Sequence, residues 1–321
     1  MSYLTLILSL VLLVVGANWL IDGAAAIARR YHISEYIIGA TIVGMGTSMP
    51  ELVVSVISGI EGHPDIAIGN IVGSNIFNVF LILGVTGLIM PIRYTRENIK
   101  RDIPFNITAS ILVMTLCALS IFVRGEYGLG RFEGMALLAS FAFYLWSSIR
   151  SEQKQKDTEP YDANNEKLKH YQSRFVSVLA IIGGLGGLII GGNIFIDSAT
   201  SIAREWGVSE AIIGLTIVAG GTSLPELMSS IIAIAKRKEQ IALGNIIGSN
   251  IFNLLFILGV SSLIQPLTMG GITFVDWSIM LLSAVTLLSA AFTFKRHQLD
   301  RADAFILLLI YVAYIAWLVW A

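Results

Sequence analysis

The chain has 321 residues, 55% of them hydrophobic and only 13% charged, about half the charged share of a soluble domain. Its net charge of −1 offers no basic excess for a nucleic-acid partner, and its single cysteine excludes an internal disulfide. What remains is an integral membrane protein with no protein partner evident.

About 20 apolar residues cross a bilayer, and ten such windows run over 3–28, 35–60, 65–90, 104–123, 130–149, 174–200, 209–235, 240–264, 272–294 and 303–320. Helices are expected throughout, because an open sheet would leave backbone groups unpaired in lipid. Span 1 lacks the basic start and the short apolar core of a signal peptide, so it is read as a retained helix. It carries Asn18 and Asp22, expected to make interhelical hydrogen bonds. Span 2 opens on Ser34–Glu35, with Glu35 stabilising the helix start, and its middle reads Gly44-Met-Gly46-Thr47-Ser48-Met-Pro50-Glu51. Pro50 removes a backbone N–H and clashes with the preceding turn, while the glycines loosen it. Span 2 is therefore expected to break and to free carbonyls, that of Gly44 among them. Span 3 contains Gly69-Asn70-Ile-Val-Gly-Ser74-Asn75-Ile-Phe-Asn78. Cys117 in span 4 reads as packing.

Residues 150–173 form a mixed-charge linker, too short for a folded regulatory domain. The sequence then repeats itself at an offset of 175 residues. Asn18, Asp22 and Glu35 return as Asn193, Asp197 and Glu210, the latter following Ser209. Gly46–Leu52 returns as Gly221–Leu227, with Pro225 and Glu226, and Gly69–Asn78 returns as Gly244–Asn253, with Asn245, Ser249 and Asn250. Ala219 takes the place of Gly44, and its carbonyl is expected to be freed by the break in span 7. Span 6 also holds Gly183, Gly184, Gly186, Gly187, Gly191 and Gly192, a small-residue face suited to close packing or to sliding. Asp303 reads as the helix-start acid of span 10.

The repeats give the organisation: residues 1–149 as a first five-helix repeat, 150–173 as a cytoplasmic linker, and 174–321 as a second repeat. An odd number of spans per repeat inverts the second copy, the pattern of secondary transporters with interrupted helices near the midplane. The loops after spans 1, 3, 5, 7 and 9 hold 18 of the 21 basic residues, which places both termini on the non-cytoplasmic side.

Glu51 and Glu226 fall near the middle of their spans, where a carboxylate costs at least ~2.5–3.5 kcal/mol. Thr47 and Ser48 share a helical face with Glu51, as Thr222 and Ser223 do with Glu226. Ser74 with Asn78, and Ser249 with Asn253, add hydroxyl and amide oxygens one turn apart. None of the four histidines lies in a span centre. A site of oxygens without nitrogen or sulfur points to Na⁺, Ca²⁺ or Mg²⁺ and away from zinc or copper. Two ionised glutamates need a matching double positive charge, supplied by one Ca²⁺ or two monovalent cations, and an empty site is disfavoured. That favours obligatory exchange over uncoupled return. A channel would need a continuous polar stripe, and an intramembrane enzyme would need a base for Ser48 or Ser223; the sequence offers neither.

These doubled motifs resemble the two alpha-repeats of the calcium:cation antiporter superfamily, the sodium/calcium exchangers and in particular their compact bacterial members. The resemblance implies a non-enzymatic Ca²⁺/Na⁺ antiporter without cofactor, working by alternating access in a bacterial inner membrane. It implies that Glu51 and Glu226 coordinate both cations, with Thr47, Ser48, Ser74, Asn78, Thr222, Ser223, Ser249 and Asn253 completing overlapping sites. It also implies that spans 1 and 6 act as a sliding pair. One of the positions matching Asn78 and Asn253 is an aspartate in sodium/calcium exchangers, and both are asparagine here. The site thus lacks a third acid, which leaves exchange of Ca²⁺ or another divalent cation for H⁺ as the alternative.

Overall fold

A computed structural model describes residues 2–155, 173–207, 219–269 and 272–320. Most of the linker, Ser209, Glu210 and the first part of span 7 therefore lie outside the described residues. Long helices dominate: Ser2–Tyr31, Pro64–Ile89, Asn98–Phe122, Arg131–Ser151, Arg174–Glu205, Glu239–Ile264 and Arg301–Leu318 are each long and apolar enough to cross a membrane. Glu35–Thr47 and Met49–Ile60 make an eighth span if the broken pair counts as one. Leu224–Ala235 and Phe274–Ser289 are shorter apolar helices within spans 7 and 9. The protein is a multi-pass, all-helical membrane protein.

The helix starts follow local chemistry. Ser34 accepts the Ile37 backbone N–H at 3.3 Å ahead of Glu35. Thr273 and Asp276 form a reciprocal capping box at the start of Phe274–Ser289. Asp303 accepts the backbone N–H of Asp300 at 3.3 Å while the Asp300 carboxylate accepts that of Asp303 at 3.0 Å, so Asp303 does serve a helix start. Two-residue antiparallel pairings, Ile92–Arg93 with Gln298–Leu299 and Gly128–Leu129 with Leu267–Thr268, link the segments between the helices.

The duplication extends to the backbone. Three described non-glycine residues are left-handed, His32, Arg237 and His297 at φ 52, 57 and 59°, and the counterparts of the first two at the 175-residue offset are Gly207 and Gly62, at φ 79 and 84°. Each turn thus keeps its geometry while one copy uses the residue that adopts it without strain.

The chain divides into two units, Met1–Thr47 with Tyr144–Asn245, and Ser48–Phe143 with Ile246–Ala321. Each takes chain from both sequence halves. In the first unit, the equivalent helices Ser2–Tyr31 and Arg174–Glu205 run antiparallel along their length. Thr5 meets Ser198 at 2.8 Å near one end, and a Cβ built on Gly23 would lie 2.8 Å from the Ser177 carbonyl oxygen near the other. Between them a Cβ on Gly16 would sit 2.9 Å from the Gly184 oxygen, and one on Gly184 would sit 2.5 Å from the Leu20 nitrogen. The glycines make backbone-to-backbone contact here. Gly184, Gly187 and Gly191 face the partner helix, whereas nothing lies within 4 Å of a Cβ on Gly186.

Ion pairs tie the end of this unit. Lys236 Nζ bonds Asp22 at 2.6 Å and the Asn18 carbonyl at 3.2 Å, and Lys238 pairs with Glu35. Asp22 is thus an interhelical partner of a lysine, while its counterpart Asp197 is exposed. Because Asp22 and Lys236 keep 29% and 27% of their side-chain surface exposed, Asp22→Asn is expected to change stability by less than about 1 kcal/mol, measured as a melting shift in detergent.

In the second unit, Pro64–Ile89 packs against Met49–Ile60, residues 246–264, Phe274–Ser289 and Arg301–Trp320. Glu239–Ile264 is buried almost throughout. Phe141, Phe252 and Phe256 form an aromatic cluster beside it, with centroids 4.7–5.7 Å apart.

Candidate cation site

The two broken spans stop at the same place in the motif. Ser48 (φ −83°, ψ 11°) and Ser223 (φ −89°, ψ 9°) leave helical geometry, and the next helices, Met49–Ile60 and Leu224–Ala235, start with Pro50 and Pro225 in their first turn. A proline at a helix start loses no hydrogen bond, because that N–H has no partner there anyway. Each glutamate therefore stands in the first turn of a fresh helix, where the dipole favours its charge. The break falls at the serine, later than the glycines suggest. Gly44 still lies in a helical turn, and its carbonyl accepts the Thr47 hydroxyl at 3.3 Å. Ala219 opens the short turn Ala219–Gly221.

In the first unit, Glu226 is 1% exposed. Asn245 sits beneath it and donates from Nδ2 to the Glu226 carbonyl at 3.3 Å and to Ser229 and Ser230 Oγ at 3.0 and 2.9 Å. Its Oδ1 accepts from the Thr47 hydroxyl at 3.2 Å. Ser223 is fully buried and Thr222 partly so.

The second unit repeats the pattern. Glu51 is fully buried, and Asn70 donates from Nδ2 to the Glu51 carbonyl at 3.3 Å and to Ser55 Oγ at 3.1 Å. Ser74 donates to Glu51 Oε1 at 3.5 Å. Asn70 and Asn245, at the 175-residue offset, thus hold the two glutamate backbones in the same way. Ser48 and Ser249 are fully buried.

Asn78 and Asn253 lie in π-helical turns, Phe77–Leu83 and Phe252–Ile257, which interrupt the central helices at equivalent points. Such turns rotate the following side chains and are frequent at functional sites. Asn78 Nδ2 donates to Asn250 Oδ1 at 3.0 Å, and Asn253 Nδ2 donates to Asn75 Oδ1 at 3.1 Å. Asn78 Oδ1 and Asn253 Oδ1 are buried with no hydrogen-bond partner among the described residues. A buried acceptor left unsatisfied costs ~1–3 kcal/mol. Among the described residues no three His, Cys, Asp or Glu side chains gather, so a cation here would draw on carboxylate, amide and hydroxyl oxygens.

The sequence-expected residues in the described regions divide evenly between the units: Gly44, Thr47, Ala219, Thr222, Ser223 and Glu226 in the first, and Ser48, Glu51, Ser74, Asn78, Ser249 and Asn253 in the second. Ser55, Ser229 and Ser230 belong to the hydrogen-bonded network and are additions. Their signal was present, since Ser55 follows Glu51 by four residues and recurs as Ser230.

A family model described as sodium/calcium exchanger protein matches residues 1–150 and 176–320. The chain belongs to the sodium/calcium exchanger family. That family is one of transporters, not enzymes. Among relatives, the putative antiporter CaxA of Alkalimonas amylolytica is 35% identical, covering 96% of this chain and 95% of its own. The sodium/calcium exchanger MaX1 of Methanosarcina acetivorans is 31% identical, covering 98% and 97%. A solved structure of the sodium–calcium exchanger NCX_Mj superposes with a TM-score of 0.82 at 32% identity, covering 99% of this chain and 98% of that one.

Proposed function

We propose that the protein is a secondary antiporter that moves Ca²⁺ in exchange for Na⁺, both bound in turn at a paired-glutamate site. The observation that carries this is the repeated pattern itself: a buried glutamate after a helix break, anchored by an asparagine, with a second asparagine offering an unbonded amide oxygen. Glu51 and Glu226 supply two negative charges, and the amide and hydroxyl oxygens complete a flexible shell of the kind Ca²⁺ takes, with 6–8 oxygens at about 2.3–2.6 Å. One Ca²⁺ or two Na⁺ neutralise the same charge, so either load can cross while the empty site is disfavoured by its two buried negative charges.

The scaffold is a ten-helix pair of inverted five-helix repeats, broken in spans 2 and 7, with both termini outside the cytoplasm and the inner membrane as its location. The antiparallel run of Ser2–Tyr31 and Arg174–Glu205, which are repeat equivalents, supports the inversion. Alternating access then exposes one site to each side in turn. The kinship with NCX_Mj and MaX1, both called sodium/calcium exchangers, supports the choice of cations.

The test is ⁴⁵Ca²⁺ uptake into proteoliposomes under an outward Na⁺ gradient or an outward H⁺ gradient. Uptake that requires internal Na⁺ is expected. Uptake driven by H⁺ alone selects the proton-coupled alternative, and uptake under neither gradient removes Ca²⁺ as substrate.

A further inference from the structure

Asn75 and Asn250 are repeat equivalents in the middle of Pro64–Ile89 and Glu239–Ile264, each 2% exposed. Their side chains cross. Asn75 Oδ1 accepts from Asn253 Nδ2 at 3.1 Å, Asn250 Oδ1 accepts from Asn78 Nδ2 at 3.0 Å, and Asn75 Nδ2 donates to the Asn250 carbonyl at 3.3 Å. The first two bonds are images of each other under the 175-residue repeat. Each one engages the NH₂ of the outer asparagine, the only group on that side chain that can donate.

An asparagine amide has two ends of opposite character, and a half-turn about its last bond exchanges them. With its NH₂ taken by a fixed acceptor, the carbonyl end of Asn78 or Asn253 must point the other way. Both of those oxygens are the buried ones with no hydrogen-bond partner. Without the acceptors, the NH₂ could turn toward a cation, which it would repel.

We propose that Asn75 and Asn250 are the positioning residues of the cation site, a crosswise amide clasp that holds Asn78 and Asn253 with their oxygens toward the cation. This rests on the site reading above. It also gives a reason for amides at 78 and 253, because an ionised aspartate there would bring no N–H to the clasp and would face an acceptor oxygen instead. The clasp ties the two central helices at the cation's own level, so the loss of either arm is felt as altered affinity.

The experiment is ⁴⁵Ca²⁺ binding to the purified, monodisperse full chain. Asn250→Leu keeps the volume but removes the acceptor, and it is expected to raise the half-saturating Ca²⁺ concentration by about 10-fold or more, the usual effect of losing a residue that orients a metal ligand. Asn250→Asp keeps the acceptor oxygen and should not weaken binding. In an Asn78→Ala background, Asn250→Leu should add nothing, since the residue it orients is gone. Asn75→Leu against Asn253→Ala repeats the test in the other arm if one variant does not fold. If Asn78→Ala weakens binding while Asn250→Leu and Asn75→Leu leave it unchanged, or if the effects multiply in the double variants, the clasp is structural and the proposal is overturned. If neither Asn78→Ala nor Asn253→Ala changes Ca²⁺ binding, the site reading itself falls and takes the clasp with it.

Discussion

Glu51→Gln and Glu226→Gln are each expected to reduce Na⁺-dependent ⁴⁵Ca²⁺ uptake by at least about 100-fold, with the folded protein recovered in normal yield. Either change keeps the shape of the side chain and removes one negative charge from a site that carries two. Removing one partner of a buried charge pair costs about 3–5 kcal/mol, and each 1.4 kcal/mol is a factor of ten in affinity. The glutamate backbones are held through their carbonyls by Asn70 and Asn245, whose bonds do not involve the carboxylates. The break and its helix therefore survive the substitution, and the deficit falls on ion binding. Equal losses from the two variants would agree with equivalent roles. Retention of more than a tenth of the uptake in either variant would remove that glutamate from the site.

Gly184→Val is expected to be the most damaging substitution away from the site, and Gly186→Val, two residues on, to be nearly silent. A Cβ at 184 meets the backbone nitrogen of Leu20 at 2.5 Å and the backbone oxygen of Gly16 at 2.7 Å, neither of which can rotate away. The helices would have to separate along a contact that reaches from Ser2 to Gly23. Overpacking a tight contact costs ~1–3 kcal/mol before any loss of the neighbouring contacts. At 186 a Cβ meets nothing within 4 Å. The readouts are the yield of monodisperse protein and its melting temperature in detergent. If 184 is tolerated as well as 186, the backbone contact is not needed, and the pair is free to slide as the smooth glycine face allows.

Much of this was legible in the sequence, because a duplicated chain carries its own control. Comparing the copies singled out Glu51, Glu226 and their hydroxyl and amide neighbours. Proline placed the interruptions to within a few residues. Their true position at Ser48 and Ser223 was hidden because glycine lowers helix stability without dictating where it ends, whereas proline dictates the start of the next helix. The π turns at Phe77–Leu83 and Phe252–Ile257 were not legible. Apart from Asn78 and Asn253 their residues are apolar in both copies and fit an α-helix equally well. The crosswise bonds were hidden for the same reason, since sequence spacing shows which side chains share a face but not which amide end meets which. The partners of Asp22 and Glu35 escaped because Lys236 and Lys238 replace Glu61 and His63 of the first repeat. Where the copies diverge, comparing them gives no warning.

The central claim is that Ca²⁺ and Na⁺ occupy the same paired-glutamate site in turn. Calorimetric titration of Ca²⁺ into the purified protein, with and without Na⁺, tests it most directly. One saturable Ca²⁺ site is predicted, displaced competitively by Na⁺ and absent in Glu51→Gln and Glu226→Gln. Ca²⁺ binding that persists undiminished in those variants, or that Na⁺ does not displace, would contradict it.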